Sequence, residues 1–132
     1  RDSYLAACFL DMDWHTLDEP IEMDPIEFEN QSTERIGLIP EIVVRYRSPY
    51  FSHIFAGGYA AGYYSYIWAE VLDADAFEAF KEKGLFDQET AQALRKHIFS
   101  SGGTDEPMEL YKKFRGDEPK VEPLLRRKGF IE

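Results

Sequence analysis

The chain holds a single cysteine, Cys8, set between Ala7 and Phe9, so no internal disulfide can form. Basic residues are scarce: 15 Lys and Arg stand against 25 Asp and Glu, a formal net charge of −10. Such a surface repels phosphate backbones and anionic lipid headgroups, which argues against nucleic acid and membrane partners. Long apolar runs are missing too. The longest, residues 54–69, contains four Tyr, three Gly and one Ser, and falls short of the ~20 residues that span a bilayer. The start carries no signal-peptide pattern, because Arg1 and Asp2 lead straight into a helical pattern without a small-residue cleavage site. It also lacks an initiator Met, which raises the expectation of a piece of a larger polypeptide. No repeat or low-complexity tract interrupts the pattern.

What remains is a chain of 132 residues, 44% hydrophobic and 15% aromatic, able to bury a core as one domain or part of one. The turn signals separate helices without a long linker, so residues 1–132 are expected to form a single unit.

Residues 4–17 carry a helical pattern, with Tyr4, Cys8, Asp11 and His15 on one side and Leu5, Phe9, Leu10 and Met12 on the other, as in a largely buried helix. Pro20 breaks it. Asp24 as cap, Pro25 at the first position and Glu27 three residues after the cap then start a second helix to about residue 38. Ile42, Val43 and Val44 after Pro40 predict an extended segment or one short strand. Ser48-Pro49 opens a helical turn to residue 55, and beyond Gly57-Gly58 a longer helix is expected over 59–83, stopped by Gly84. Asp87 caps a helix to about residue 100, another spans 107–115, and Pro119 and Pro123 bracket a terminal turn. The fold class is all-α.

The densest unusual feature is the aromatic and glycine-rich stretch 50–68. Read as helix, it puts Tyr59, Tyr63 and Tyr66 on one face, with Glu70 a turn further, while Tyr64, Ile67, Trp68 and Val71 lie opposite. A phenol, with an ordinary pKa near 10, stays protonated at neutral pH and can donate to a carbonyl or a developing oxyanion. An aromatic stripe at helical spacing is also what a plain core looks like. Gly57 and Gly58 add a hinge, and Gly58 and Gly62 are spaced for another backbone to approach closely. The stretch is no phosphate loop, because Tyr63-Tyr64 stand where Lys and Ser/Thr would be required.

The histidines do not make a metal site. None of His15, His53 or His97 is followed by Glu, so the His-Glu-x-x-His helix of zinc peptidases cannot be built from these residues. Asp13 points away from the Asp11 and His15 pair in a helix. His97, beside Lys96 in a last helical turn, suits the helix dipole. His53 in an apolar turn reads as a structural residue on spacing alone.

Phe51-x-His53-Ile54-Phe55-x-Gly57-Gly58-Tyr59-Ala60-Ala61-Gly62-Tyr63-Tyr64-x-Tyr66, followed by Trp68-x-Glu70, resembles the substrate-binding loop and helix of the thimet oligopeptidase and neurolysin family of zinc metallopeptidases. Its peptidyl-dipeptidase branch is the most similar. Tyr4-Leu5-Ala6-Ala7, Trp14-His15, Gly84-Leu85-Phe86 and Pro123-Leu124-Leu125 extend the resemblance over nearly the whole chain.

The resemblance implies the C-terminal helical part of a zincin-like, neurolysin-like catalytic domain. Zinc would be held by ligands upstream of Arg1 in the same polypeptide, with none in this chain. An oligopeptide would be the substrate, and a bacterial cytoplasmic setting is favoured over a periplasmic one. By the same resemblance, Tyr66 would stabilise the tetrahedral oxyanion and His53 would hydrogen-bond the peptide backbone. Tyr59 would swing in on the Gly57-Gly58 loop, with Tyr63 a lesser contact. Arg45 and Arg47 are candidates for the substrate's C-terminal carboxylate, as release of dipeptides requires, and are equally readable as surface arginines. Alone, such a piece would be inactive. The alternative is a non-catalytic helical interaction module that retains a peptidase-like scaffold.

Overall fold

The computed structural model describes residues 2–132 and is all-α, with no β-strand among the described residues. The helices are α1 (Asp2–His15), α2 (Pro25–Arg35), α3 (Ser52–Phe55), α4 (Ser65–Lys83), α5 (Gln88–Leu94), α6 (Pro107–Arg115) and α7 (Glu122–Lys128). A 3-10 turn, Ser48–Tyr50, precedes α3, and a π-turn, Arg95–Phe99, follows α5. The chain divides into two compact units, one ending at Tyr66 and one running from Ile67 to Glu132. That division falls inside α4, where no proline, glycine or polar linker marks it in the sequence.

The first unit is organised by α1. Ala6, Ala7, Leu10 and Asp11 are almost completely buried, and Val44, Phe51, Ile54 and Tyr63 complete the core around them. Each fully buried large apolar side chain is worth about 1.5–3 kcal/mol of transfer free energy. Of the group Leu5, Phe9, Leu10 and Met12, only Leu10 is buried; Leu5, Phe9 and Met12 are 42%, 49% and 37% exposed. The core face is the one with two alanines, whose small side chains let neighbouring segments approach the helix closely.

Helix α2 starts as expected. Asp24 accepts from the N–H groups of Ile26 at 2.8 Å and Glu27 at 3.2 Å, and Pro25 needs no partner for a missing N–H. It ends at Arg35 and not near residue 38, because Gly37 turns the chain away in the left-handed region at φ 69°. Residues 41–46 are not a strand: Val44 is buried and Val43 is 66% exposed, and the segment pairs with no ladder. Under it lies a polar network. Buried Glu29 accepts from the Ser48 N–H at 2.8 Å and from Ser48 Oγ at 3.2 Å, and is ion-paired to Arg47. Trp14 Nε1 donates to Ser48 Oγ at 3.0 Å.

The second unit packs Val71, Ala74 and Leu124 together, with Ile67 against them. Asp87 caps α5 by accepting from the Thr90 N–H at 2.7 Å. That bond holds its carboxyl below the usual range. Tyr111 donates to buried Asp75 at 2.6 Å, and Arg115 clasps Glu82 with two bonds at 2.7 and 3.1 Å.

Candidate substrate site

The site begins where α3 ends. Gly57 packs so tightly on the preceding turn that an added Cβ would sit 2.9 Å from both Cα and O of His53, so only glycine fits. Gly58 follows with φ 81°, again a glycine conformation, and no atom would crowd a Cβ there. The close backbone approach expected at Gly58 and Gly62 therefore occurs at Gly57, against its own chain. The turn closes with the Tyr59 N–H donating to the His53 carbonyl at 3.1 Å.

Residues 59–64 are turns and not the first part of the long helix, which starts only at Ser65. The shared helical face expected for Tyr59, Tyr63 and Tyr66 does not exist, yet the three rings meet. The Tyr59 and Tyr66 rings stack at 5.1 Å, and Tyr63 meets Tyr66 edge-on at 5.4 Å. Tyr66 is 41% exposed. A side-chain hydrogen bond with Tyr59 pushes its phenol up to about 12, with burial adding to the shift. Tyr63 is buried, and burial raises its phenol too. Tyr64 and Trp68, opposite the phenols when the stretch is read as helix, are 53% and 42% exposed.

His53 sits among Tyr46, Tyr59 and Tyr63, at ring distances of 5.1, 6.1 and 5.8 Å, and its buried Nδ1 makes no hydrogen bond. Of the two arginines, Arg47 is committed to Glu29, whereas Arg45 is exposed and lies over the Tyr46 ring at 5.4 Å. The structure thus gathers His53, Tyr59, Tyr63 and Tyr66 behind the two glycines, and ties Arg47 into the fold.

One residue in this arrangement is missed by sequence reasoning. Asp11 lies under the tyrosine loop, accepting from the N–H groups of Ala61 and Tyr63 at 2.9 Å each. Its partners are 50 and 52 positions away, and its only visible mark is the face it shares with Tyr4, Cys8 and His15.

The zinc implied by the resemblance finds no ligand set here. No three His, Cys, Asp or Glu side chains gather to hold a metal among the described residues. Asp11 and His15 are bound to each other and to the backbone. An apolar cavity of about 440 Å³ lies in the second unit, between Trp68, Leu72, Ile98 and Met108, and none of the gathered tyrosines lines it.

With this geometry in place, the chain can be set beside known proteins. It belongs to peptidase family M3, whose model matches residues 3–130. It is similar to oligopeptidase A of Haemophilus influenzae, 58% identical over 86 residues, covering 64% of this chain and 13% of that protein. Similarity to dipeptidyl carboxypeptidase of Salmonella typhimurium is lower but longer, at 42% over 127 residues, 95% of this chain and 19% of that protein. A probable cytosolic oligopeptidase A of Arabidopsis thaliana is 45% identical over 132 aligned residues, 96% of this chain and 19% of its own length. The chain thus spans less than a fifth of the length of each of these curated relatives.

Proposed function

We propose that this chain is the C-terminal part of a zinc-dependent peptidyl-dipeptidase or oligopeptidase, supplying the substrate clamp and the oxyanion donor for hydrolysis of short peptides. The metal ligands belong to the polypeptide outside this chain, since no group of His, Cys, Asp or Glu among the described residues fits them.

The observation that carries the proposal is the phenol pair, Tyr59 stacked on Tyr66, with the Tyr66 proton held up to about 12 and its ring open to solvent. A donor that stays neutral throughout the physiological range can bond a peptide carbonyl as negative charge grows on its oxygen. Interactions made mainly in the transition state raise kcat more than they lower KM. The His53 ring, set beside Tyr59, supplies a hydrogen bond for the backbone of a bound peptide. The Gly57-Gly58 turn brings Tyr59 to Tyr66. Tyr63, being buried, acts as support for Tyr66 and less as a contact. Arg45 is the better placed of the two arginines for a C-terminal carboxylate, because Arg47 would first have to leave buried Glu29.

The test is Tyr66→Phe in the intact polypeptide, assayed on a short internally quenched peptide. kcat should fall roughly a hundredfold or more, with KM changed far less. An unchanged kcat refutes the role. Sequencing ahead of Arg1 is a cheaper check, since a His-Glu-x-x-His helix followed by a further Glu is required there.

A further inference from the structure

We propose that Asp11 is a positioning residue for the tyrosine clamp: a buried carboxylate that clasps the loop backbone and so sets where Tyr59 and Tyr66 present their hydroxyls. The proposal rests on the reading of Tyr66 as the oxyanion donor.

Asp11 is fully buried, and both of its carboxylate oxygens are used. Oδ1 accepts from the Ala61 N–H and Oδ2 from the Tyr63 N–H, each at 2.9 Å, and His15 Nδ1 lies 2.9 Å from Oδ1. A buried carboxylate is costly unless it is fully bonded. Bonds from backbone N–H groups to an ionised acceptor are shorter and about twice as strong as neutral ones.

The loop needs such a partner. Ala61 has φ 52°, the one non-glycine residue at positive φ among the described residues. A side chain in the left-handed region is strained and persists only where the surroundings over-determine it. In this conformation the N–H groups of residues 61 and 63 converge on one carboxylate. A second bond from the same helix face completes the clasp, with the Tyr4 hydroxyl donating to the Tyr63 carbonyl at 2.9 Å.

The clasp is flanked by the two phenols. Tyr59 lies two residues before Ala61, and Tyr66 three residues after Tyr63. Tyr59 stands on a stretch closed only by turn bonds, from the Gly62 N–H to the Tyr59 carbonyl at 2.8 Å and from the Ser65 N–H to the Gly62 carbonyl at 3.0 Å, and Tyr66 stands in the first turn of α4, into which that stretch leads. A displacement of about 1 Å at a reacting group can cost on the order of a hundredfold in rate. Asp11, being fully buried, acts only through the loop.

The experiment uses the intact polypeptide and a short internally quenched peptide, with Asp11→Asn and Tyr66→Phe made singly and together. Asp11→Asn keeps the shape but turns one accepting oxygen into an NH2 that faces an N–H. kcat should fall about ten- to a hundredfold while KM changes by less than about threefold. In the Tyr66→Phe background the same change should cost little further, because the interaction that Asp11 positions is already gone. Tyr4→Phe is the milder second variant if Asp11→Asn does not fold. It should give a smaller loss with the same disappearance in the Tyr66→Phe background. Equal losses in both backgrounds would overturn the proposal, leaving Asp11 a general stabiliser. An unchanged kcat in both Asp11→Asn and Tyr4→Phe would overturn it as well. If Tyr66→Phe alone leaves kcat unchanged, the oxyanion reading falls and the positioning role falls with it. If Tyr66→Phe is impaired but the clasp variants are not, only the positioning role falls.

Discussion

Phe51→Ala should be among the most damaging substitutions in the first unit. Phe51 is fully buried under the site, stacked on Tyr46 at 5.3 Å and edge-on to Tyr63 at 5.0 Å. Truncating a buried Phe to Ala costs about 3–5 kcal/mol, the lost transfer term plus the cavity left behind. About 0.5–1.5 kcal/mol of that comes from each aromatic pair. With a urea dependence of about 1.5 kcal/mol per molar, the midpoint should drop by about 2–3 M. The assay is urea unfolding followed by Trp14 emission, with Trp68 replaced by Phe to leave one reporter. Trp14 packs on Phe28 at 3.9 Å and on Phe55 at 5.8 Å, so it reports on this unit. Phe86→Ala is the control, since Phe86 is 90% exposed and its loss should stay within about 0.5 kcal/mol. If Phe51→Ala moves the midpoint no further than Phe86→Ala does, the packing described for the first unit is wrong.

Two other outcomes test the second unit and the missing metal. Burial, followed by the bond to Asp75, raises the Tyr111 phenol above its ordinary value. Its contribution to stability is therefore complete below pH ~10 and is lost as pH rises further, because the unfolded phenol ionises first. Tyr111→Phe should remove about one proton's worth of that alkaline slope, ~1.4 kcal/mol per pH unit, and should cost about 1–3 kcal/mol at neutral pH by taking one donor from buried Asp75, which Arg115 Nε also approaches at 3.5 Å. An unchanged alkaline slope by circular dichroism would contradict this. The 132-residue chain, dialysed after exposure to zinc, should retain no stoichiometric metal by atomic absorption. Tight one-to-one binding would mean that these residues do hold a ligand set.

What the sequence reveals and what it hides follow the range of the interactions concerned. Asp24-Pro25 and Asp87 are legible as helix starts because each cap bonds an N–H two or three residues ahead. Gly37 shortens α2 through its own backbone angle, a local effect that a periodic pattern overlooks. Face assignments fail for a longer-range reason. On α1 hydrophobicity groups Leu5, Phe9, Leu10 and Met12, but the packing surface is chosen by what approaches the helix, and that side takes Leu10 together with Ala6 and Ala7.

The tyrosine cluster is the sharpest case. The spacing of Tyr59, Tyr63 and Tyr66 suits a helix, and the rings do converge, yet the backbone between them is a loop. The meeting of the three rings was therefore readable from the motif while the scaffold that holds them was not. A helix would fix Tyr59 and Tyr63, as it does Tyr66, through its own hydrogen bonds. A loop with Ala61 at positive φ depends on bonds from Asp11 and Tyr4, more than fifty positions from the residues they hold in all but one case. The geometry of the tyrosine cluster is thus set by α1 as much as by the motif itself, and substitutions on that helix should reach the phenols without touching them.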